Sequence, residues 1–230
     1  NWEDAAIKTD DGIHLNWPST YSRGRWWLGE PNVLKENKNY AKEIEELTNY
    51  FAQSKAYNAN KTSPKDLPFE ALEGLMDGSK KLFVHVDNEK GITDAINFAK
   101  AENIKHLVIV GGYEANNVVD LLKLNNIPVL VQRTHSRPNG DDHDYDLPYK
   151  LASQLVNAGI LVGLENAGDM ERMNTRNLPF LAGTTVAYGL SKAQALSLIT
   201  LNTAKILGVD DKVGSLEVGK DATLFISQGD

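Results

Sequence analysis

The chain has 230 residues, 41% of them hydrophobic and 24% charged, with 24 Lys and Arg against 31 Asp and Glu and a formal net charge of -7. This is the composition of a folded globular chain and not of a disordered one, and the acidic balance argues against a nucleic-acid partner. The absence of cysteine excludes disulfides, thiolate catalysis and Cys-ligated zinc, and no apolar run nears the ~20 residues of a membrane span.

The first residue is Asn1 and not Met, which leads us to expect a further segment upstream. Residues 12–16, Gly-Ile-His-Leu-Asn, have strand character. An aromatic and basic loop follows, with Trp17, Tyr21, Trp26 and Trp27 beside Arg23 and Arg25. Tyr40, Ile44, Leu47 and Phe51 share one face of an amphipathic helix over residues 36–56, and Phe69, Leu72, Leu75 and Met76 mark a shorter one ending near Gly78. From residue 80 onward, apolar runs at 82–86, 106–110, 128–132 and 160–164 alternate with stretches of helical period. Their near-continuous apolar character predicts parallel strands covered on both faces. Between them Ile92, Ala95, Ile96 and Ala99 define one helical face, and Ala115, Val118, Val119 and Leu122 another. After the polar loop 165–177, helices are predicted over 178–188, 192–201 and 203–207, closed by Gly208. A turn and one further strand near 224–226 complete the chain.

Function in parallel α/β architectures gathers at the carboxyl ends of strands. That rule selects His85, Gly111, Gly112, Arg133, Thr134, His135, Glu165 and Asn166. His85 reads either as a packed strand histidine or as a ligand. The Gly111–Gly112 amides suit an anion, but close strand-to-helix packing needs glycine equally. His135 and His143 share a loop with Asp141, Asp142, Asp144 and Asp146, which reads as a cation site or, more simply, as a solvated loop. The aromatic loop reads as a stacking surface for a flat or sugar-like ligand, carried in particular by Trp26, or as a hydrophobic lid or subunit contact. No nucleophile elbow, phosphate-binding loop, His-Glu-x-x-His or dinucleotide fingerprint occurs.

Residues 178–226 carry a more specific pattern: Leu178-Pro179-Phe180-Leu181-Ala182-Gly183-Thr184 with Ala187-Tyr188-Gly189-Leu190, then Ala204-Lys205-Ile206-Leu207-Gly208, then Val213-Gly214-Ser215-Leu216-Glu217 with Gly219-Lys220-Asp221-Ala222. This resembles the C-terminal third of the amidohydrolase superfamily, in its imidazolonepropionase-like branch, and the similarity extends more weakly back to Gly12. The resemblance implies a (β/α)8 barrel of TIM type, of which this chain holds about strands four to eight (residues 1–208), with residues 209–230 as a segment of a small β-sandwich. It implies hydrolysis of non-peptide carbon–nitrogen bonds, of cyclic amide type, in a small-molecule substrate. The water would be activated by a divalent metal, zinc, iron or manganese.

Carried over by position, His85 matches the strand-five histidine ligand, Gly111 stands where strand six offers a histidine, Asn166 or Glu165 stands where strand eight offers an aspartate, and Asn16 takes the strand-four position. The His-x-His pair of strand one is absent. One histidine in four positions falls short of the about three protein ligands of a catalytic zinc. The resemblance therefore leaves three readings: a hydrolase with rearranged chemistry, in which His85, Glu165 or Asp169 handles protons and Arg176 holds an anionic substrate; a non-catalytic small-molecule-binding relative; or the structural C-terminal part of a larger hydrolase. A complete barrel takes roughly 250 residues. The length thus predicts about half a barrel, joined to a removed or separate N-terminal part or self-associating. The compartment stays open between the cytoplasm and export to the periplasm.

Overall fold

The computed structural model describes residues 5–31, 33–61, 64–140, 142–166 and 171–228, with the backbone alone for Trp26, Glu171 and Arg172. Two compact units are formed, Asp10–Leu121 and Leu122–Asp230, the latter with Asn1–Thr9. Each is described in turn.

The first unit begins with β1 (Gly12–Asn16), where the sequence predicts a strand. The aromatic loop then forms a short antiparallel hairpin of β2 (Tyr21–Arg23) and β3 (Leu34–Glu36), with a 3-10 turn at Trp26–Leu28 between them. Next come α1 (Tyr40–Ala59), α2 (Leu67–Ala71) and α3 (Glu73–Asp77), the last ending on Gly78 in the left-handed conformation. β4 (Lys81–Val86), α4 (Glu89–Ala101), β5 (Leu107–Gly111), a 3-10 turn at Ala115–Val118 and α5 (Val119–Leu124) follow, the division between units falling within α5. β4 pairs in parallel with β1 on one side and β5 on the other. α4 starts where Asn88, in extended conformation, accepts the Gly91 amide at 2.7 Å. It buries Ile92, Ala95, Ile96, Phe98 and Ala99.

Trp17, grouped by the sequence with an exposed stacking surface, is instead buried. Its ring meets Phe98 edge-on at 5.6 Å, and Phe98 meets Phe51 of α1 edge-on at 5.0 Å. The indole N–H donates to the Tyr40 hydroxyl at 3.0 Å, and that hydroxyl donates to the Asp94 carboxylate at 2.7 Å. Lys90 closes the group, 2.7 Å from Asp94 and 5.0 Å above the Tyr40 ring. An indole is large and apolar with one donor, so a core position beside a phenol satisfies it better than open solvent does. Desolvation first, and then the bond to Asp94, push the Tyr40 phenol up to about 12. Trp27 is exposed, and the Trp26 side chain lies outside the described residues.

The second unit carries β6 (Val129–Gln132) and β7 (Val162–Glu165), again a parallel pair, joined through α6 (Leu147–Asn157). α6, whose start adjoins the acidic loop, is not among the helices named from the sequence, although Leu147, Leu151 and Leu155 share one face of it. Pro148 sits in its first turn, where a missing N–H costs nothing, and Leu151, Ala152 and Leu155 are buried. Asp144 and Asp146 of that loop pair with the Lys150 ammonium, at 2.6 and 2.8 Å. Asp141 lies outside the described residues. α7 (Leu178–Ala187), α8 (Lys192–Ser197) and α9 (Leu201–Leu207) complete the unit. Ser191 and Gln194 form a reciprocal cap at the start of α8, and Gly208 ends α9 at φ 69°. At Gly163 a side chain would begin 2.8 Å from both Leu130 and Thr203, so glycine lets α9 lie against β7. On the same strand the Leu164 amide donates to the Leu198 carbonyl and the Asn202 side chain donates to the Val162 carbonyl, each at 3.0 Å.

The strand expected at 224–226 does not form among the described residues. A strand needs a ladder partner, and Phe225 and Ile226 are 84% and 92% exposed. No described helix is long and apolar enough to cross a membrane.

Replacing Phe98 with Ala removes the ring that joins Trp17 to Phe51, and Phe98→Ala is expected to cost about 3–5 kcal/mol of stability in urea unfolding. In an alkaline absorbance titration, Tyr40→Phe should remove one phenol component with a midpoint of about 12 and leave the others in place.

Candidate functional site

Alternation along β1 puts Gly12, His14 and Asn16 on one face, and the parallel register sets His14 opposite Phe83 and Asn16 opposite His85. The His14 ring stacks on Phe83, with centroids 4.8 Å apart and 11° between planes, and His14 Nδ1 lies 2.9 Å from His85 Nε2. One of these nitrogens donates the shared proton and the other accepts it. Desolvation, followed by the neighbouring His14, holds His85 below its ordinary imidazole value. The strand-end rule does not select His14. The signal is present in the sequence all the same, since His14 shares its face with Asn16 at a spacing of two.

Two residues beyond His85, the Asp87 carboxylate lies over Gly111: a side chain there would begin 2.5 Å from Asp87 Oδ1. Gly111 and Gly112 have φ of 92° and 62°, values that favour glycine. Three amides of this turn bond within the chain. Gly112 N–H donates to Val86 O at 2.8 Å, Tyr113 N–H to the Asp87 carboxylate at 3.4 Å, and Glu114 N–H to Asp87 O at 2.8 Å. The Gly112 amide is thus taken by a backbone carbonyl, and the Asp87 carboxylate lying against Gly111 opposes an anion there. Desolvation chiefly, with Glu114 adding, raises the Asp87 carboxyl above its ordinary value, against the Tyr113 amide, which lowers it. Tyr21 of the hairpin lies within electrostatic reach of Glu114, Arg23 and Asp87: burial first, then Glu114 and Asp87, raise its phenol, against Arg23, which lowers it. The aromatic loop thus approaches this site through Tyr21.

In the second unit, Glu165 ends β7 opposite Gln132 and is half-buried, and Asn166 beside it is buried. Thr134, fully buried, donates to the Leu181 carbonyl at 3.2 Å. His135 bonds to the Thr184 hydroxyl of α7 and tilts against Tyr149 of α6 at 5.8 Å. Arg176 is exposed in the 3-10 turn Glu171–Asn177, and Asp169 lies outside the described residues.

Among the described residues no three His, Asp or Glu side chains converge on one point. A catalytic zinc needs about three protein donors and an open position. His85 has one imidazole beside it, already bonded to it, so these residues as placed do not fit the divalent metal that the resemblance implies.

Parallel strands joined by helical crossovers, with polar side chains at the strands' carboxyl ends, define the class of α/β fold that builds its active sites in its βα loops. Residues 20–229 match the amidohydrolase family model, and the chain belongs to the amidohydrolase family. It is similar to an imidazolonepropionase of Syntrophobacter fumaroxidans, 37% identical over 82 residues that make up 35% of this chain and 19% of the relative. It is also similar to a 5'-deoxyadenosine deaminase of Methanobrevibacter smithii, 23% identical over 203 residues that cover 77% of this chain and 43% of that one. An amidohydrolase structure from Thermotoga maritima shares the fold, with a TM-score of 0.76 and 24% identity over 96% of this chain and 57% of that one. The matches thus span less than half the length of both curated relatives.

Because the folded Asp87 carboxyl has the higher pKa, the stability linked to it is present below the unfolded carboxyl's value of ~4 and is lost as pH rises through the folded value. Asp87→Asn is expected to melt above the parent at neutral pH in scanning calorimetry, with the gap closing as pH falls below ~4.

Proposed function

We propose that this chain is the C-terminal part, about strands four to eight, of a (β/α)8 amidohydrolase barrel that acts on non-peptide carbon–nitrogen bonds of cyclic amide type in a small-molecule substrate. The carrying observation is the family match over residues 20–229, with His85 at the carboxyl end of β4. In this reading residues 1–208 are the barrel portion and 209–230 a segment of the small β-sandwich. His85 and Glu165 handle protons, with Asp169 as the alternative acid. Glu165, half-buried at the end of β7, serves as the base. Asn166, His135, Gly111, Gly112 and Trp26 line the substrate, and Arg176, exposed on its turn, meets an anionic substituent. The remaining strands come from an N-terminal part of the same protein or a separate segment, or the chain self-associates.

A second reading, a non-catalytic relative that keeps the pocket for small-molecule binding, is favoured by a specific observation: His85 is engaged by His14, and no three donors converge among the described residues.

Metal analysis of the purified full-length protein, together with a panel of lactams, hydantoins, imidazolones and blocked dipeptides, separates the two. Turnover of a cyclic amide that falls at least about a hundredfold in His85→Ala is the expected result for the hydrolase. No turnover anywhere on the panel, with saturable binding of a panel member, would establish the binding protein.

A further inference from the structure

We infer that His14, in the middle of β1, and His85, near the end of β4, form a metal-independent imidazole pair, in which His14 takes up Nε2 of His85. The inference rests on the reading of His85 as the strand-five histidine and concerns what that side chain is bonded to.

Four observations carry it. The register Asn16 to His85 makes His14 the diagonal neighbour of His85 on the same sheet face, so the contact is set by the backbone and not by a chance rotamer. The His14 ring is held nearly parallel to Phe83, itself 4% exposed, and this orientation aims Nδ1 at His85 Nε2, 2.9 Å away. One of those two nitrogens bears the shared proton, and a protonated nitrogen has no lone pair for a metal.

The fourth concerns positions 16 and 111, which offer neither a histidine nor a carboxylate. Asn16 ends β1 with an amide, and Gly111 ends β5 with no side chain at all. Asp87 Oδ1 fills the space where a residue-111 side chain would begin, and a φ of 92° disfavours any such side chain independently. Among the described residues the outer nitrogens, His14 Nε2 and His85 Nδ1, bond to nothing else. In the neutral pair one of them donates and the other accepts. The ligand chemistry this suits is therefore a neutral polar group with both functions, such as an amide or urea, and not an anion.

The test is proton NMR of the full-length protein labelled with 15N-histidine, with and without one equivalent of zinc chloride. The expected result is a downfield imidazole N–H resonance that survives zinc and disappears in both His14→Phe and His85→Phe. His14→Gln, whose amide still reaches a neighbouring nitrogen, should keep the His85 nitrogen shifts near those of the parent even if His14→Phe fails to fold. Disappearance of the resonance on adding zinc, with one equivalent retained through dialysis and lost in His85→Phe, would overturn the inference. So would the absence of any such resonance in the metal-free parent. An intact pair with no turnover on the substrate panel sinks the hydrolase reading alone, whereas turnover by a zinc-loaded protein that lacks the pair sinks this inference alone.

Discussion

The parallel pairing of β1 on β4, in the register that sets Asn16 opposite His85, is the constraint on which the first unit depends. A slip of one residue would turn His14 and His85 to opposite faces of the sheet, because the side-chain period is two. The ladder runs one step past the end of β1, where the Trp17 amide donates to the His85 carbonyl at 3.1 Å. That bond fixes the point at which the chain leaves the sheet. From there the indole turns into the core toward Tyr40 and Phe98 while His14 and Asn16 remain on the exposed face. One set of backbone hydrogen bonds therefore decides both the packing of α1 and α4 and the composition of the site.

Glycine at 111 and aspartate at 87 belong to one local solution. A left-handed backbone at two successive residues creates a loop whose amides face inward, and such a concavity ordinarily attracts an anion from solution. Here the chain's own Asp87 carboxylate lies against the loop, accepting the Tyr113 amide and filling the volume where a side chain at 111 would begin. The family resemblance reads position 111 as a lost ligand. A side chain at position 111 would require moving Asp87 and straining the backbone.

Much of the architecture could be read from the sequence, because buried parallel strands leave a strong mark. The apolar runs near 82–86, 106–110, 128–132 and 160–164 all became strands within a residue or two of the expected ends, and the amphipathic stretch after Tyr40 became α1. Gly208 closes its helix as expected. What escaped were features set by partners distant in sequence. His14 acquires meaning only through a register 71 residues away, and Trp17 looks like a surface aromatic until Tyr40 and Asp94 are brought to it. α6 carries its buried face in the sequence, at Leu147, Leu151 and Leu155, but the acidic run before it, which Lys150 from within the helix balances, reads as loop. His85, Glu165 and Asn166 stand at or beside strand ends, as the sequence leads one to expect, but the bond of His85 to His14 could not be read there.

The carbonyl of Leu198 and the side chain of Asn202, both from the helical segment that follows α7, bind the outward backbone groups of Leu164 and Val162 on β7. These are the groups through which a strand recruits another strand. With them occupied by the chain's own α8–α9 connection, β7 offers a poor template for indiscriminate strand pairing. A segment that does seek to extend this sheet must first displace a carbonyl and a carboxamide, and that competition acts as a built-in filter on which strand is admitted.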